Sequence, residues 1–365
     1  MPVPHPLPAR QGPVPATETR AARRRLRSSR RLPLRRGHHP SAGNVGRGRL
    51  MLRMIGMRLL GMILVLLAVS ALVFALGALI PGDLTSVIVG QEGATEEQFA
   101  EVRRKLGLDK PLFLQYFYWL LNVLQGDFGT SPITGRTVTA DLLQQIPVSL
   151  ELALLTLVVS TLIGLPAGVV AAVHANKRLD VLIRMSLLFT FSVPIFVIGI
   201  LLLLVGSRWA PDLFRVSYTR WVDDPVMHIR SMAMPLLTIA FPITAMTMQM
   251  TRSSVLEVLH NPYIVTARAV GVREKRIQYL HALRNALPPI VTFIGFQLGI
   301  LLGGLIVIEQ IFSLPGLGRG MLEAINTRDY PMVTATTLVF AAAFVFINAL
   351  VDMLYPLLDP RQRGR

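Results

Sequence analysis

The chain has 365 residues, of which 52% are apolar, with a mean hydropathy of +0.52 and a formal net charge of +16 at pH 7. This apolar fraction is high for a soluble globular protein. The sequence contains no cysteine, which excludes a disulfide framework, a thiolate metal site and a cysteine nucleophile.

Residues 1–50 form a basic, proline-rich arm. They carry twelve arginines against a single acid, Glu18, and eight of the first forty residues are proline. Because such a stretch cannot bury enough apolar surface to fold, we expect it to be disordered. Three interpretations are open: an arm that binds anionic lipid headgroups, a transit peptide, or a stretch that precedes a true translation start at Met51 or Met54. The last is favoured, since the first apolar window follows directly.

Six windows free of Asp, Glu, Lys and Arg stand out in the rest of the chain. Each is long enough to cross the hydrocarbon core as a helix, which takes about 20 residues. Prolines and glycines inside them are tolerable in membrane helices, where neighbouring groups satisfy the backbone. The sequence therefore predicts an all-α integral membrane protein with six transmembrane helices. The windows are residues 59–82, 152–176, 185–207, 231–251, 285–308 and 330–351.

The charges between the windows predict the orientation. Lys and Arg are concentrated before the first window, between the second and third, between the fourth and fifth, and after the sixth. Residues 83–151 instead have nine acidic residues against five basic ones. Since cytoplasmic loops carry the excess of Lys and Arg, we expect both termini in the cytoplasm and residues 84–146 and 310–329 on the outer side.

The segment after the first window contains two helix signals. Thr95 with Gln98 is typical of a capping box, and the helix that it opens is expected to end near Gly107. Pro111 opens a second helix that is rich in aromatic residues. Aromatic side chains favour the membrane interface, so we expect this helix to lie at the outer ends of the spans.

Residues 252–284, here called the basic loop, carry six Lys or Arg against two carboxylates. Asn261-Pro262 predicts a helix start, because proline fits the first turn, where its missing N–H is not needed. Tyr263, Ala267 and Val270 then recur at the spacing of an apolar stripe on a short helix.

Gly271 is expected to end this short helix, since glycine adopts the left-handed conformation of a helix C-cap. A second helix follows, with Ile277, Leu280 and Leu283 on one side. Two short amphipathic helices joined at a glycine indicate a docking element, although basic charge alone is equally typical of any cytoplasmic loop.

No motif for catalysis is present in the sequence. It contains no phosphate-binding G-x-x-x-x-G-K-[ST] loop, no H-E-x-x-H and no G-x-S-x-G. The seven histidines are scattered over the arm, the loops and the span ends, which favours solvated or interfacial residues over metal ligands. We therefore assign no catalytic residue, no metal site and no cofactor, and the residues that would contact a substrate are not identified.

The six windows also lack an ionisable residue of the kind that proton- or sodium-coupled carriers need inside the bilayer. Glu151, Glu309 and Asp352 lie at the window edges. Uphill transport by this chain would therefore require energy from a partner, delivered through a cytoplasmic loop.

The order of residues in the basic loop, YxxTARAxGxxExRxxxxHALRNALxP, closely resembles the coupling loop of peptide-importer permeases. Against the general pattern of ABC-importer permeases, the loop matches at Ala267, Gly271 and Leu283. It departs from that pattern at Val265, Thr266, His281 and Arg284.

Further strings extend the resemblance over residues 51–363. They are LGLDKPL followed by QY and GDFG, then LPGLG, and finally LLDPRQR. One departure is Leu84, which stands where that family commonly has a second proline.

The resemblance implies the type I ABC importer permease fold in a bacterial inner membrane. The first transmembrane helix and outer segment would occupy residues 51–145, the transport domain residues 146–356 and a cytoplasmic tail residues 357–365. Seven residues of the basic loop would couple the chain to an ATPase: Tyr263, Thr266, Ala267, Arg268, Val270, Gly271 and Leu283.

The resemblance also implies a set of partners. A second permease subunit, forming a heterodimer with this chain, would complete a path for di- or oligopeptides. Two ATP-binding subunits would hydrolyse ATP, and an extracytoplasmic binding protein would deliver the cargo. The lipid membrane is the remaining partner, and no nucleic acid is implied.

Two alternatives are open. Nickel or another small solute stays within the same family, although no His or Met cluster marks a metal path in the sequence. A passive pore or membrane scaffold belongs to a different class, and would be active without an ATPase and insensitive to changes in the basic loop.

Overall fold

The computed structural model describes residues 44–79, 110–211 and 217–358. The arm up to residue 43, the predicted capping box at Thr95 with its helix to Gly107, the position of Leu84 and the tail after residue 358 lie outside the described residues.

Regular structure in these described ranges is helical, apart from an isolated antiparallel bridge between Thr130 and Thr137. The predicted all-α class is therefore confirmed. The helices are α1 (Asn44–Leu79), α2 (Leu112–Leu124), α3 (Val138–Val173), α4 (Arg178–Ser192), α5 (Ile195–Trp209), α6 (Pro225–Leu259), α7 (Pro262–Ala269), α8 (Glu274–Arg276), a π-helical segment (Ile277–Ala282), α9 (Leu283–Ile311), α10 (Leu317–Thr327) and α11 (Tyr330–Leu358).

Five helical stretches in the described part are long and apolar enough to cross a membrane, and they account for five of the six predicted windows. They are Gly56–Gly77, Val138–Val173, Pro225–Leu259, Glu274–Ile311 and Tyr330–Val351. The remaining window, residues 185–207, is divided between the shorter helices α4 and α5.

The break between α4 and α5 falls at Val193-Pro194. Val193 is extended, with φ −110° and ψ 119°, because the ring of a following proline disfavours the helical conformation. Over this window the chain therefore forms two shorter helices, of which α5 is apolar, in place of one continuous helix.

Helices α3 and α6 form the centre of the fold and approach closely. A Cβ atom added at Gly168 would lie 2.5 Å from the carbonyl oxygen of Met248 and 2.6 Å from Cβ of Thr251. One turn earlier, a Cβ at Gly164 would lie 2.9 Å from Cβ of Thr247. Small residues four apart let two membrane helices come into backbone contact, so both glycines are required by packing.

The apolar core lies where α9 packs against this pair. Leu152 of α3, Met232 of α6 and Leu305 of α9 are buried members of one cluster. Large apolar side chains on the outer surfaces remain exposed, above all on α1. Exposed apolar surface of this extent suits contact with lipid.

Helix α2 begins directly after Pro111, as predicted. None of its residues is buried, and it is attached to α1 through aromatic contacts. The Tyr116 hydroxyl lies 2.8 Å from Oγ of Ser70, and the ring of Phe74 lies 5.6 Å from those of both Tyr116 and Trp119. This arrangement is consistent with a helix at the membrane interface.

Candidate functional site: a docking helix in the basic loop

The basic loop is largely helical. Residues 252–259 continue α6, which extends beyond the predicted window 231–251. Helix α7 begins at Pro262, with Asn261 as its N-cap, as the sequence predicted. Only residues 260–261 separate α6 from α7, so the two helices are directly connected.

The turn after α7 has the conformation that was predicted for Gly271. Its φ is +81°, in the left-handed region. The Gly271 N–H donates to the Arg268 carbonyl at 3.0 Å, and the Val272 N–H donates to the Ala267 carbonyl at 3.1 Å. These two bonds form a Schellman motif, which closes the end of α7.

An ion pair spans the same turn. Arg268 Nη2 donates to Glu274 Oε1 at 2.7 Å and Arg268 Nε donates to Glu274 Oε2 at 3.1 Å. The hydrogen bonds to Glu274 raise the pKa of the Arg268 guanidinium. Paired bonds of this kind fix the relative orientation of the two groups, so α7 is held in a defined direction to α8.

The apolar stripe predicted on α7 is left open by this chain. Tyr263 is 43% exposed, Val270 is 75% exposed and Ala267 is half-buried, while Thr266 and Arg268 are exposed. These residues therefore form an accessible surface and are not part of the core.

The residue that fixes α7 to the rest of the chain is Ile264, which is fully buried and was not singled out from the sequence. The Tyr263 hydroxyl adds a polar attachment by accepting a 2.9 Å hydrogen bond from Asn285 Nδ2. Ile264 stands beside the stripe on the same short helix, and its apolar character alone did not distinguish it from Val265, which is exposed.

The second predicted helix of the loop is continuous with α9 and contains the π-helical segment Ile277–Ala282. The backbone hydrogen bonds of a π-helix join residues five apart, and Ile277 and Ala282, which are five apart, are both fully buried. Leu280 is 46% exposed, so the prediction that it shares a side with Ile277 and Leu283 is wrong. The error arises from assuming the α-helical repeat.

Leu283 has a different position from the other predicted coupling residues. It is half-buried and packs against a cluster that includes Val255, Ala282 and Ile290. Leu283 therefore contributes to the packing between the helices beneath the loop, whereas the stripe on α7 forms the outward surface.

A buried carboxylate lies at the opposite end of α9. Glu309 was placed at a window edge from sequence, but it is fully buried. Its Oε2 accepts from the N–H groups of Gly318 at 2.7 Å and Arg319 at 3.0 Å, and its Oε1 accepts from Oγ of Ser149 at 2.6 Å. A carboxylate in this position complements the N-terminus of α10. The side chain of Asp352, also placed at an edge, lies outside the described residues.

His228 also departs from the sequence expectation. It was expected to be solvated or interfacial, but it is buried. Its Nδ1 lies 2.8 Å from the Thr219 carbonyl oxygen and its Nε2 lies 2.7 Å from Oε1 of Glu151. The histidine therefore joins α3 to the segment before α6, and both of its ring nitrogens are occupied.

The comparisons with known proteins agree over most of the chain. Residues 164–364 match the family described as binding-protein-dependent transport system inner membrane component. Residues 51–153 match the N-terminal part described for the membrane components of the same transport systems.

Curated relatives are similar at the level of sequence. The glutathione transport system permease protein GsiC of Salmonella typhimurium (strain LT2) is 39% identical over 317 residues, which are 86% of this chain and 99% of the relative. GsiC of Escherichia coli (strain K12) is 37% identical over 316 residues, with the same coverage.

Two solved structures were also compared. An amino acid ABC transporter with histidines has a TM-score of 0.47 at 13% identity and covers 60% of this chain and 94% of its own. The MetNI methionine ABC transporter in inward-facing conformations has a TM-score of 0.47 at 17% identity and covers 60% of this chain and 96% of its own.

Proposed function

The chain belongs to the family of binding-protein-dependent transport system inner membrane components, the multi-pass permease subunits of bacterial ABC importers. From this premise we propose that α7 of the basic loop docks on an ATP-binding partner subunit. The permease role itself follows from the family. In this proposal, the partner subunit hydrolyses ATP, and α7 is the surface of this chain that receives the resulting movement.

The observation that carries the proposal is the combination of a rigid helix and an open apolar stripe. Ile264 and the Arg268–Glu274 ion pair hold α7 in place, while Tyr263 and Val270 are left exposed. An apolar face on an otherwise charged loop is stabilised when a partner covers it. A groove on an ATP-binding subunit would provide that cover.

The connections of α7 suggest how a push on it reaches the membrane. At one end α7 is joined to α6 through residues 260–261, and at the other end the Gly271 turn leads into α8 and on to α9. Closure of the ATP-binding subunits would displace α7 and tilt these two long helices. The path between this chain and a second permease would then open alternately to each side.

For the cargo we propose a small peptide delivered by an extracytoplasmic binding protein. The support is the name of the 37–39% identical relatives, which are glutathione transport permeases. Glutathione is itself a tripeptide, so it is the first probe to use, with di- and oligopeptides as the wider class.

Ala267→Arg tests the docking surface without removing a residue of the chain's own core. A bulky charge at this half-buried position in the stripe should clash with the partner's groove. We expect the variant to insert normally but to lose co-purification of the ATP-binding subunits. The matched control is Thr327→Arg, an exposed position at the end of α10, far from the basic loop.

The readouts are the yield of ATP-binding subunits that co-purify with the tagged chain, and uptake of labelled glutathione in cells. Loss of both in Ala267→Arg but not in the control supports the proposal. A passive pore predicts that neither variant changes uptake. Equal co-purification in both variants contradicts the docking surface.

A further inference from the structure

A buried ion pair joins α4 to α6 at the first residue of the basic loop, Arg252. Asp180, in the first turn of α4, is fully buried. Arg252 of α6 approaches it with two nitrogens: its Nη2 donates to Asp180 Oδ2 at 2.9 Å, and its Nε donates to Oδ1. The Asn176 N–H donates to the same carboxylate at 2.9 Å, and Arg184 Nη2 lies 3.6 Å from it.

The geometry of this pair makes it a stiff connection. A guanidinium that binds both oxygens of a carboxylate is fixed in direction as well as in distance. The side chain of Arg252 is 14% exposed and that of Asp180 is fully buried, so the pair has little contact with water. Loss of the Asp180 carboxylate would leave the mostly buried charge of Arg252 without this partner.

Helix α4 has few other buried attachments. Among those of its residues whose side chains the structure describes, Asp180 and Thr190 are buried, and the Thr190 hydroxyl bonds within α4 to the Ser186 carbonyl. The apolar side chains Leu182 and Phe189 are exposed. At the base of α4, the Asp180–Arg252 pair is therefore the buried attachment to α6 among the described side chains, and near its other end the ring of Phe189 lies 6.3 Å from that of Phe241 on α6.

At its other end, α4 is separated from α5 by a break in the helix. Val193 is extended and α5 begins only after Pro194, so the helical hydrogen bonds are interrupted there. Helix α4 is thus a short helix that is attached to α6 by the ion pair at its base and that is not continuous with α5 at its other end.

The position of Arg252 connects α4 to α7, the helix proposed to dock on the ATP-binding subunit. Arg252 lies in the last part of α6, which is followed after residues 260–261 by α7. Asp180 is 72 residues away in sequence, yet the ion pair attaches it to the helix end that a displaced α7 would move.

From this geometry we propose that Asp180 and Arg252 are positioning residues that make α4 follow α6 when α7 is displaced. Helix α4, which forms the first part of the interrupted window 185–207, would then move together with the basic loop. The inference rests on the proposed function, because docking of α7 on the ATP-binding subunit supplies the displacement that the ion pair transmits to α4.

The test uses the assembled transporter in lipid nanodiscs, with paired spin labels in this naturally cysteine-free chain. Labels at positions 182 and 257 report the distance between α4 and the end of α6. Labels at positions 257 and 323 report movement of the end of α6 relative to α10. Both distances are measured by pulsed electron resonance without nucleotide and with ATP and vanadate.

In the unsubstituted transporter, we expect the 257–323 distance to change by about 2 Å, at the upper end of typical helix shifts, while the 182–257 distance stays constant. In Asp180→Asn, the 257–323 change should persist, but the 182–257 distance should now shift or broaden with nucleotide. A parent in which the 182–257 distance itself changes overturns the inference, as does an Asp180→Asn variant that behaves like the parent. A parent without any 257–323 change overturns the proposed function itself.

A double variant separates positioning from simple stabilisation. Asp180→Asn with Arg252→Met removes both charges, so no charge remains buried and unpaired, and its melting temperature should return towards that of the parent. If the pair only stabilises the fold, the 182–257 distance should become constant again in the double variant. We expect it to remain nucleotide-dependent, as in the single variant.

Discussion

At the scale of single residues, Gly271 is the sharpest requirement in the basic loop. Its φ of +81° is strained for any residue with a Cβ, and most of all for a β-branched one. A Cβ at this position would meet no atom within 4 Å, so the requirement comes from the backbone and not from packing.

Gly271→Val should therefore strain the turn by about 1–3 kcal/mol and change the direction of α7 relative to α8. We expect normal insertion but reduced ATP hydrolysis coupled to transport, measured as hydrolysis stimulated by the loaded binding protein in proteoliposomes. Gly126→Val is the matched control, because Gly126 has a φ of +82° and equally open surroundings outside the loop. Equal activity of the two variants would speak against a special role for the Gly271 turn.

The residues that were not identified from sequence share a physical reason. Glu309 is buried through Ser149, which lies 160 residues away, and His228 is paired with Glu151, which lies 77 residues away. Local patterns carry no information on such partners. Gly271 and Pro262 were predicted correctly because their roles depend only on backbone conformation within a few residues.

At the scale of elements, α10 is secured at both ends by a buried carboxylate that receives a serine hydroxyl. Glu309 accepts from Ser149 at its start, and Asp329 accepts from Ser131 at its end. A Cβ at Gly316 would lie 2.3 Å from Cδ of Glu309, so glycine is required for this close approach. Helix α10 is therefore a fixed platform at the end of the bundle opposite the basic loop.

Glu309→Gln should weaken this platform. The amide removes the charge that complements the start of α10 and leaves one of three donors without its acceptor, at a cost of about 1–3 kcal/mol. The expected result is a lower midpoint of thermal unfolding in detergent and faster proteolysis within α10. Glu323→Gln changes an exposed position on the same helix and should have neither effect. A similar fall in the unfolding midpoint of both variants would contradict the role of Glu309 in securing α10.

Proline shows why element boundaries were only partly predictable. Pro166 and Pro242 lie inside the continuous helices α3 and α6, whereas Pro194 separates α4 from α5. Hydropathy treats all three windows alike, and the outcome depends on whether neighbouring helices hold the backbone straight. The starts of α2 and α7 were predictable because a proline at a helix start acts locally.

At the scale of the whole molecule, the chain is a membrane permease subunit, and we propose that energy reaches it through the basic loop. The family match and the apolar helices establish the permease. The orientation with both termini in the cytoplasm is a prediction from the Lys and Arg distribution, and docking on an ATP-binding subunit requires it, since ATP is supplied on that side.

Site-specific photocrosslinking in intact cells tests the docking claim most directly. A benzoylphenylalanine placed at Val270, the C-cap residue of α7, which is 75% exposed, should form an adduct with the ATP-binding subunit, identified by mass spectrometry. The same probe at Glu323, on α10, should not. An adduct at position 270 but not at 323 is the predicted result, and it would also place the loop in the cytoplasm. Absence of the ATP-binding subunit from the position 270 adducts, in cells where the transporter is assembled, would contradict the account.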